Sequence, residues 1–137
     1  MGVGPLGFSQ CTEKANEMVN GYNARLAAAL RELEQTLPGA LAIFCDAYKG
    51  MMEIISNPEI YGFNNVRDAC CGAGHAGGMV MCIACRDPSM HVWWDSYGTT
   101  EAGDAQLADW SWSPLPSHLQ IFTPLNLRQL ASSSSPH

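Results

Sequence analysis

Residues 40–45 read Ala-Leu-Ala-Ile-Phe-Cys, an unbroken apolar run that follows directly on a long helix-patterned segment. A strand with one face in water alternates polar and apolar residues, whereas a run without alternation needs cover on both faces. That requirement constrains the fold more than any other feature, because it asks for packing layers on either side. The preceding segment offers one such layer. From Thr12 to about Thr36 the apolar positions Met18, Tyr22, Leu26, Leu30, Leu33 and Leu37 recur every three or four residues among Glu, Lys, Arg and Asn, the stripe of an amphipathic helix. Thr12 is a cap with Glu13 in the first turn, and Pro38-Gly39 ends the helix. Helix then buried strand is half of an α/β unit, so the pattern predicts an α/β fold. Asp46 and Tyr48 follow at the strand's carboxyl end, the rim where open α/β sheets gather ligands. Asp46 also has the simpler reading of a helix cap.

The rest of the chain is less periodic. GVGPLG at 2–7 is a turn-rich loop of the kind that follows a strand. Gly50 to Ser56 can form a short helix with Met51, Met52, Ile54 and Ile55, stopped by Asn57-Pro58. Between Asp68 and Pro88 lies a cysteine- and glycine-rich loop long enough to need a staple. Met90 to Trp94 is the second strand candidate, with Asp95 at its end, and Glu101 to Trp110 is a short helix capped by Thr99 or Thr100. Residues 111–137, with prolines at 114, 116 and 124 and a serine run at 132–135, read as an irregular or loosely attached tail behind a segment spanning 1–110. With one firm strand and one short one, Ala40 to Phe44 keeps an uncovered sheet edge, through which self-association is expected.

Composition excludes some partners. The 137 residues carry a formal net charge of -6 with no basic run, which argues against nucleic acid. No apolar run is long enough to span a membrane, and MGVGPLGFSQ lacks the charged start and apolar stretch of a signal peptide. The six cysteines are uneven: Cys11 and Cys45 stand apart, Cys70 and Cys71 are adjacent, and Cys82 and Cys85 form CxxC. Disulfides and an oxidising compartment are one reading of that density. Zinc is another, since CxxC is half of a structural site and Cys70, Cys71, His75 and His91 are further ligands; adjacent cysteines, whose side chains diverge, suit two disulfides better than one ion. The pair Trp93-Trp94 reads as packing rather than a ligand platform.

The series GVGPLG, YNARL, LPGALAIFCDAY, NPEIYGF, ACCGAG and WWDSYGTTEAGDAQLA, over about residues 2–110, resembles the carboxyl-terminal portion of plant GDSL esterase/lipases of the SGNH hydrolase superfamily. The resemblance implies the end of a flavodoxin-like α/β/α sandwich with an incomplete parallel sheet, secretion, disulfides in the cysteine loop and hydrolysis of carboxylic esters such as lipids. It implies no cofactor. Family members use a serine in a GDS motif, a glycine and an asparagine for the oxyanion, and a late D-x-x-H. An imidazole takes the proton from the serine hydroxyl, and a carboxylate orients that imidazole and stabilises its cationic form.

Asp95 falls on the family's aspartate. The histidine belongs at position 98, where this sequence has Gly98, followed by Thr99 in place of proline. No GDS occurs in these residues, and Ser96 belongs to the wrong block. Phe8 stands where the family has cysteine after GPLG, which makes Cys11 or Cys45 a candidate for altered pairing. His91, four residues before Asp95 on an extended segment, should lie more than about ten ångströms from it. The expectation is therefore a truncated, non-catalytic relative of an ester hydrolase; the competing expectation is a small disulfide-stabilised or zinc-bound interaction module.

Overall fold

A computed structural model describes residues 5–72, 83–95, 97–113 and 119–133, with the backbone alone for 5–12. The order is α1 (Pro5–Thr36), β1 (Phe44–Cys45), α2 (Ala47–Ser56), two 3-10 turns (Pro58–Tyr61 and Pro88–Met90), α3 (Glu101–Trp112), β2 (Phe122–Thr123) and α4 (Leu127–Ser133). Helices dominate an α/β arrangement. Pro5 opens α1, a position where its missing N–H costs nothing, so Pro5, Leu6 and Gly7 are helical rather than the turn expected of GVGPLG.

The sheet differs from the parallel one expected. β1 pairs antiparallel with β2, Phe44 opposite Thr123 and Cys45 opposite Phe122, and the ladder is extended by the Asp46 amide donating to the Ile121 carbonyl at 2.7 Å. Only two residues of the 40–45 run are in the strand, and Leu41 is 45% exposed. The apolar run finds its backbone partner in a short strand from late in the chain, without being covered on both faces. That neighbour lies inside 111–137. Ile121 and Phe122 belong to the core, and α4 packs against α3, so this segment, set aside in the sequence as an irregular tail, contributes both a strand and apolar burial.

The core is the cluster Ile54, Phe63, Val92, Trp110, Ile121 and Phe122, flanked by Met51, Trp93 and Leu107. Ile54 arrives on α2, whose start is fixed by Asp46: its Oδ1 accepts from the Lys49 amide at 3.0 Å, the ordinary N-cap bond. Asn23 on α1 donates to the same oxygen at 3.0 Å and ties the long helix to this corner. The rim reading of Asp46 thus yields to the cap. α2 and α3 approach closely at Gly50, where an added Cβ would lie 2.8 Å from Leu107 Cδ2. Tyr61 meets Trp110 edge to face at 5.2 Å between ring centroids, a favourable aromatic geometry. Asn57 ends α2 by donating to the Glu53 carbonyl, and Pro58 forbids its continuation.

Candidate functional site

Asp95 sits in a strap, residues 90–100, that is held on two sides. Met90 is the end of a 3-10 turn, so the expected strand from Met90 to Trp94 reduces to isolated bridges, His91 with Asn65 and Trp93 with Thr99. On one side the strap takes backbone bonds from 64–71: Val92 donates to Asn65 at 3.0 Å, and the amides of Cys70 and Cys71 donate to the carbonyls of Trp93 and Trp94 at 2.9 and 2.6 Å. The intervening residues bulge outward, since the Asn65 side chain accepts from the amides of Arg67 and Asp68. Trp93 donates its indole N–H to the Val66 carbonyl at 2.9 Å while packing against the core. Its role is structural, as the sequence indicates.

On the other side the strap folds back on itself. Trp94 donates to the Gly98 carbonyl at 3.0 Å, and Thr100 donates to Val92 at 2.9 Å. Asp95 closes the turn: its Oδ1 accepts from the amides of Tyr97 and Gly98, each at 2.8 Å. That is an Asx turn, in which a short carboxylate satisfies amides two and three residues on. Asp95 is half-buried. Ser96 lies outside the described residues. Gly98 does not adopt a left-handed backbone, and among the described residues beyond its chain neighbours a Cβ built on it would meet Asp95 Oδ1, at 3.7 Å. A side chain at position 98 would therefore start in van der Waals contact with the carboxylate.

His91 Nδ1 lies 3.2 Å from the Asp68 carbonyl oxygen. His75 lies outside the described residues. Thr100, unmarked in the sequence except as a cap, is the buried polar residue that locks the strap to α3. Its hydroxyl donates to the His91 carbonyl at 2.6 Å and accepts from the Gly103 amide at 3.2 Å. Thr99 adds a short bond from its hydroxyl to the Asp104 carboxylate. Asn65 is the other positioning residue that sequence reasoning passes over; the N-x-x-D spacing to Asp68 was the available signal.

The cysteines divide. Cys70 and Cys85 are joined in a disulfide, and Cys71 is disulfide-bonded as well. The cysteine loop is thus stapled as expected, and three of the four sulfurs assigned to a zinc site, those of Cys70, Cys71 and Cys85, are consumed. Among the described residues no group of three or more His, Cys, Asp or Glu side chains is placed to hold a metal. Cys45 is corrected: it is free and exposed, because β1 is held by β2 rather than by the cysteine segment. Partial burial, and then the Asp46 carboxylate beside it, push the Cys45 thiol up and disfavour the reactive thiolate. The side chain of Cys11 and all of Cys82 lie outside the described residues.

One cleft of ≈ 330 Å³ runs between α1 and the sheet, lined by Leu30, Phe44 and Pro124 among others, and one of ≈ 410 Å³ opens between Asp87, Ser89 and the start of α3. Asp95 lines neither. No helix of the described residues is long and apolar enough to cross a membrane.

Comparison with known proteins agrees on one group. GDSL esterase/lipase At2g23540 of Arabidopsis thaliana is 33% identical over 133 residues, covering 93% of this chain and 34% of the relative. GDSL esterase/lipase At5g55050 of the same plant is 36% identical over 129 residues, covering 90% and 34%. GDSL esterase/lipase At3g50400, also from Arabidopsis thaliana, is 35% identical over 134 residues, covering 93% and 35%. No family model and no solved structure matches the chain. The chain spans about a third of the length of the curated relatives it matches. With identity running along nearly all of its residues, the chain belongs to the plant GDSL esterase/lipase family, in the carboxyl-terminal portion of that sequence.

Proposed function

We propose that this chain carries the relay-carboxylate corner of a carboxylic ester hydrolase of SGNH type, and that by itself it does not hydrolyse esters. The observation that carries the reading is the Asp95 turn. Among the described residues its carboxylate accepts the amides of Tyr97 and Gly98 in its own loop, and position 98, 3.7 Å from Oδ1 at the Cβ, bears no side chain. A serine hydroxyl without a neighbouring base is a poor nucleophile, so loss of the imidazole removes the step that activates it. These residues also contain no Gly-Asp-Ser sequence. The flavodoxin-like sandwich, the extracellular setting and a lipid or other ester substrate belong to the same reading; membership of the family supports them, as does the Cys70–Cys85 disulfide, a bond that persists in oxidising compartments.

The test is p-nitrophenyl ester hydrolysis by the purified chain, beside an Asp95→Ala control and a serine-reactive phosphonate label. We expect no turnover and no labelled serine. Gly98→His alone is expected to leave turnover absent, since the nucleophile would still be missing. Turnover that vanishes in Asp95→Ala, with a labelled serine, would refute the non-catalytic reading.

A further inference from the structure

The segments 92–95 and 98–100 pair over too short a length to hold their own register. Trp94 and Asp95 donate to the Gly98 carbonyl at 3.0 and 3.4 Å, Thr100 donates to Val92 at 2.9 Å, and Trp93 bridges Thr99 between them. A two-stranded ribbon of this size is marginal by itself, and a slip of one residue would change which residue stands opposite which. The outgoing segment is anchored by Val92, wholly buried in the core, and by the indole of Trp93 on the Val66 carbonyl. The returning segment has a single buried side chain among residues 97–100, that of Thr100.

Thr100 grips two successive carbonyls of the outgoing segment. Its amide donates to Val92 and its hydroxyl donates to His91 at 2.6 Å. Both carbonyls are met together in one register only. The same hydroxyl oxygen accepts from the Gly103 amide at 3.2 Å, which makes Thr100 the N-cap of α3. α3 is fixed in turn by Trp110 in the core, and its start has no slack, since a Cβ on Gly103 would lie 3.2 Å from the Val92 carbonyl oxygen. Capping a helix needs only the acceptor. The donated bond to His91 is additional, and it is the one that reaches across to the outgoing segment. Asp95 lies three residues beyond Val92, about 10 Å along an extended segment, so Thr100 acts on the carboxylate through the pairing and not by contact.

We propose that Thr100 is a positioning residue, whose hydroxyl sets the register of 92–95 against 98–100 and so holds the Asp95 carboxylate toward position 98. Its bearing on chemistry rests on the relay reading of Asp95 above. The test has two readouts on the full chain. Without any change at Gly98, the NMR contact between Trp93 and Thr99 reports the register. In Gly98→His, the midpoint of the new imidazole, less that in Gly98→His with Asp95→Asn, reports how the carboxylate meets the ring; Asp104, bonded to the Thr99 hydroxyl, is common to both and cancels. With Thr100 in place that difference is expected to be about one pKa unit. Thr100→Val keeps the shape and removes the hydroxyl, and should lose the Trp93–Thr99 contact and bring the difference below about 0.3 unit. Thr100→Ser should keep both. Thr100→Asp separates cap from lock: its carboxylate is a favoured cap but, ionised, has no proton to give His91. α3 should then stay helical by circular dichroism while both readouts are lost, and this variant decides if Thr100→Val does not fold. Either readout unchanged in Thr100→Val or Thr100→Asp, or lost in Thr100→Ser, would overturn the proposal. A difference absent with Thr100 in place would refute the relay reading instead, and the Trp93–Thr99 contact would then decide the role of Thr100 alone.

Discussion

Gly98→His tests the proposal that Asp95 is a relay carboxylate, by placing an imidazole at the position proposed for its partner. The backbone at 98 is outside the left-handed region, and among the described residues beyond its chain neighbours the first carbon meets Asp95 Oδ1, at 3.7 Å. The introduced ring then lies within the roughly 4–6 Å over which an opposite charge shifts a titration. At about 5 Å, Coulomb attraction is about 3 kcal/mol for an effective dielectric near 20 and under about 1 kcal/mol in water. Asp95 is half-buried, so a value in the lower part of that range applies, about 1.4 kcal/mol or one pKa unit. The introduced imidazole should titrate about one unit above its ordinary value of about 6.5. A folded pKa raised above the unfolded one adds stability that is fully present below about pH 6.5 and lost as pH rises through about 7.5.

The assay is NMR titration of the new imidazole in Gly98→His and in Gly98→His with Asp95→Asn. The first should titrate higher than the second by about one unit, and urea unfolding of Gly98→His should show the extra stability at pH 6 and not at pH 8.5. Equal midpoints in the two variants would show that the ring does not meet the carboxylate, and the inherited relay geometry would be refuted.

Three other outcomes follow from the packing. Replacing Cys70 and Cys85 by serine removes a crosslink of sequence separation 15, which should lower the urea midpoint by the equivalent of about 3 kcal/mol and speed amide exchange at Cys70 and Cys71, whose N–H groups hold the strap. Gly103→Ala places a Cβ 3.2 Å from both the Val92 carbonyl oxygen and Thr99 Cβ; backbone cannot give way as a side chain does, so a loss of about 1–3 kcal/mol in thermal or urea unfolding is expected. Phe122→Ala empties a core position that is 8% exposed and should cost about 3–5 kcal/mol, with early proteolysis near 119–133; a change under about 0.5 kcal/mol would show that this segment is dispensable.

What could be read from the chain alone was whatever local chemistry dictates. The helical pattern of α1, the caps at Asp46 and Thr100, the stop at Asn57-Pro58 and the helix beginning at Glu101 each depend on residues within one or two turns of one another, and each is where its residues place it except the start of α1, which lies at Pro5 and leaves Thr12 inside the helix rather than at its cap. The mismatch between Asp95 and Gly98 was equally legible, because it is a matter of which residues are present. The partner of β1 was not legible. A two-residue antiparallel ladder with Phe122 is set by a contact across more than seventy residues, and the segment that supplies it is too rich in proline and serine to announce a strand.

The strap shows the same division from the other side. Its sequence, apolar and aromatic, reads as a strand, yet whether it pairs along its length depends on the residues opposite, and Asn65 turns those residues outward into a bulge after a single bridge. Likewise Cys45 and Cys70 are the same residue type; only the fold buries Cys70 beside Cys85 and leaves Cys45 free and exposed on a strand held by Phe122. Sequence fixes local preference and the identity of the reacting groups. Pairing is a property of distance in space, and distance is decided by the packing of elements that do not adjoin in the chain.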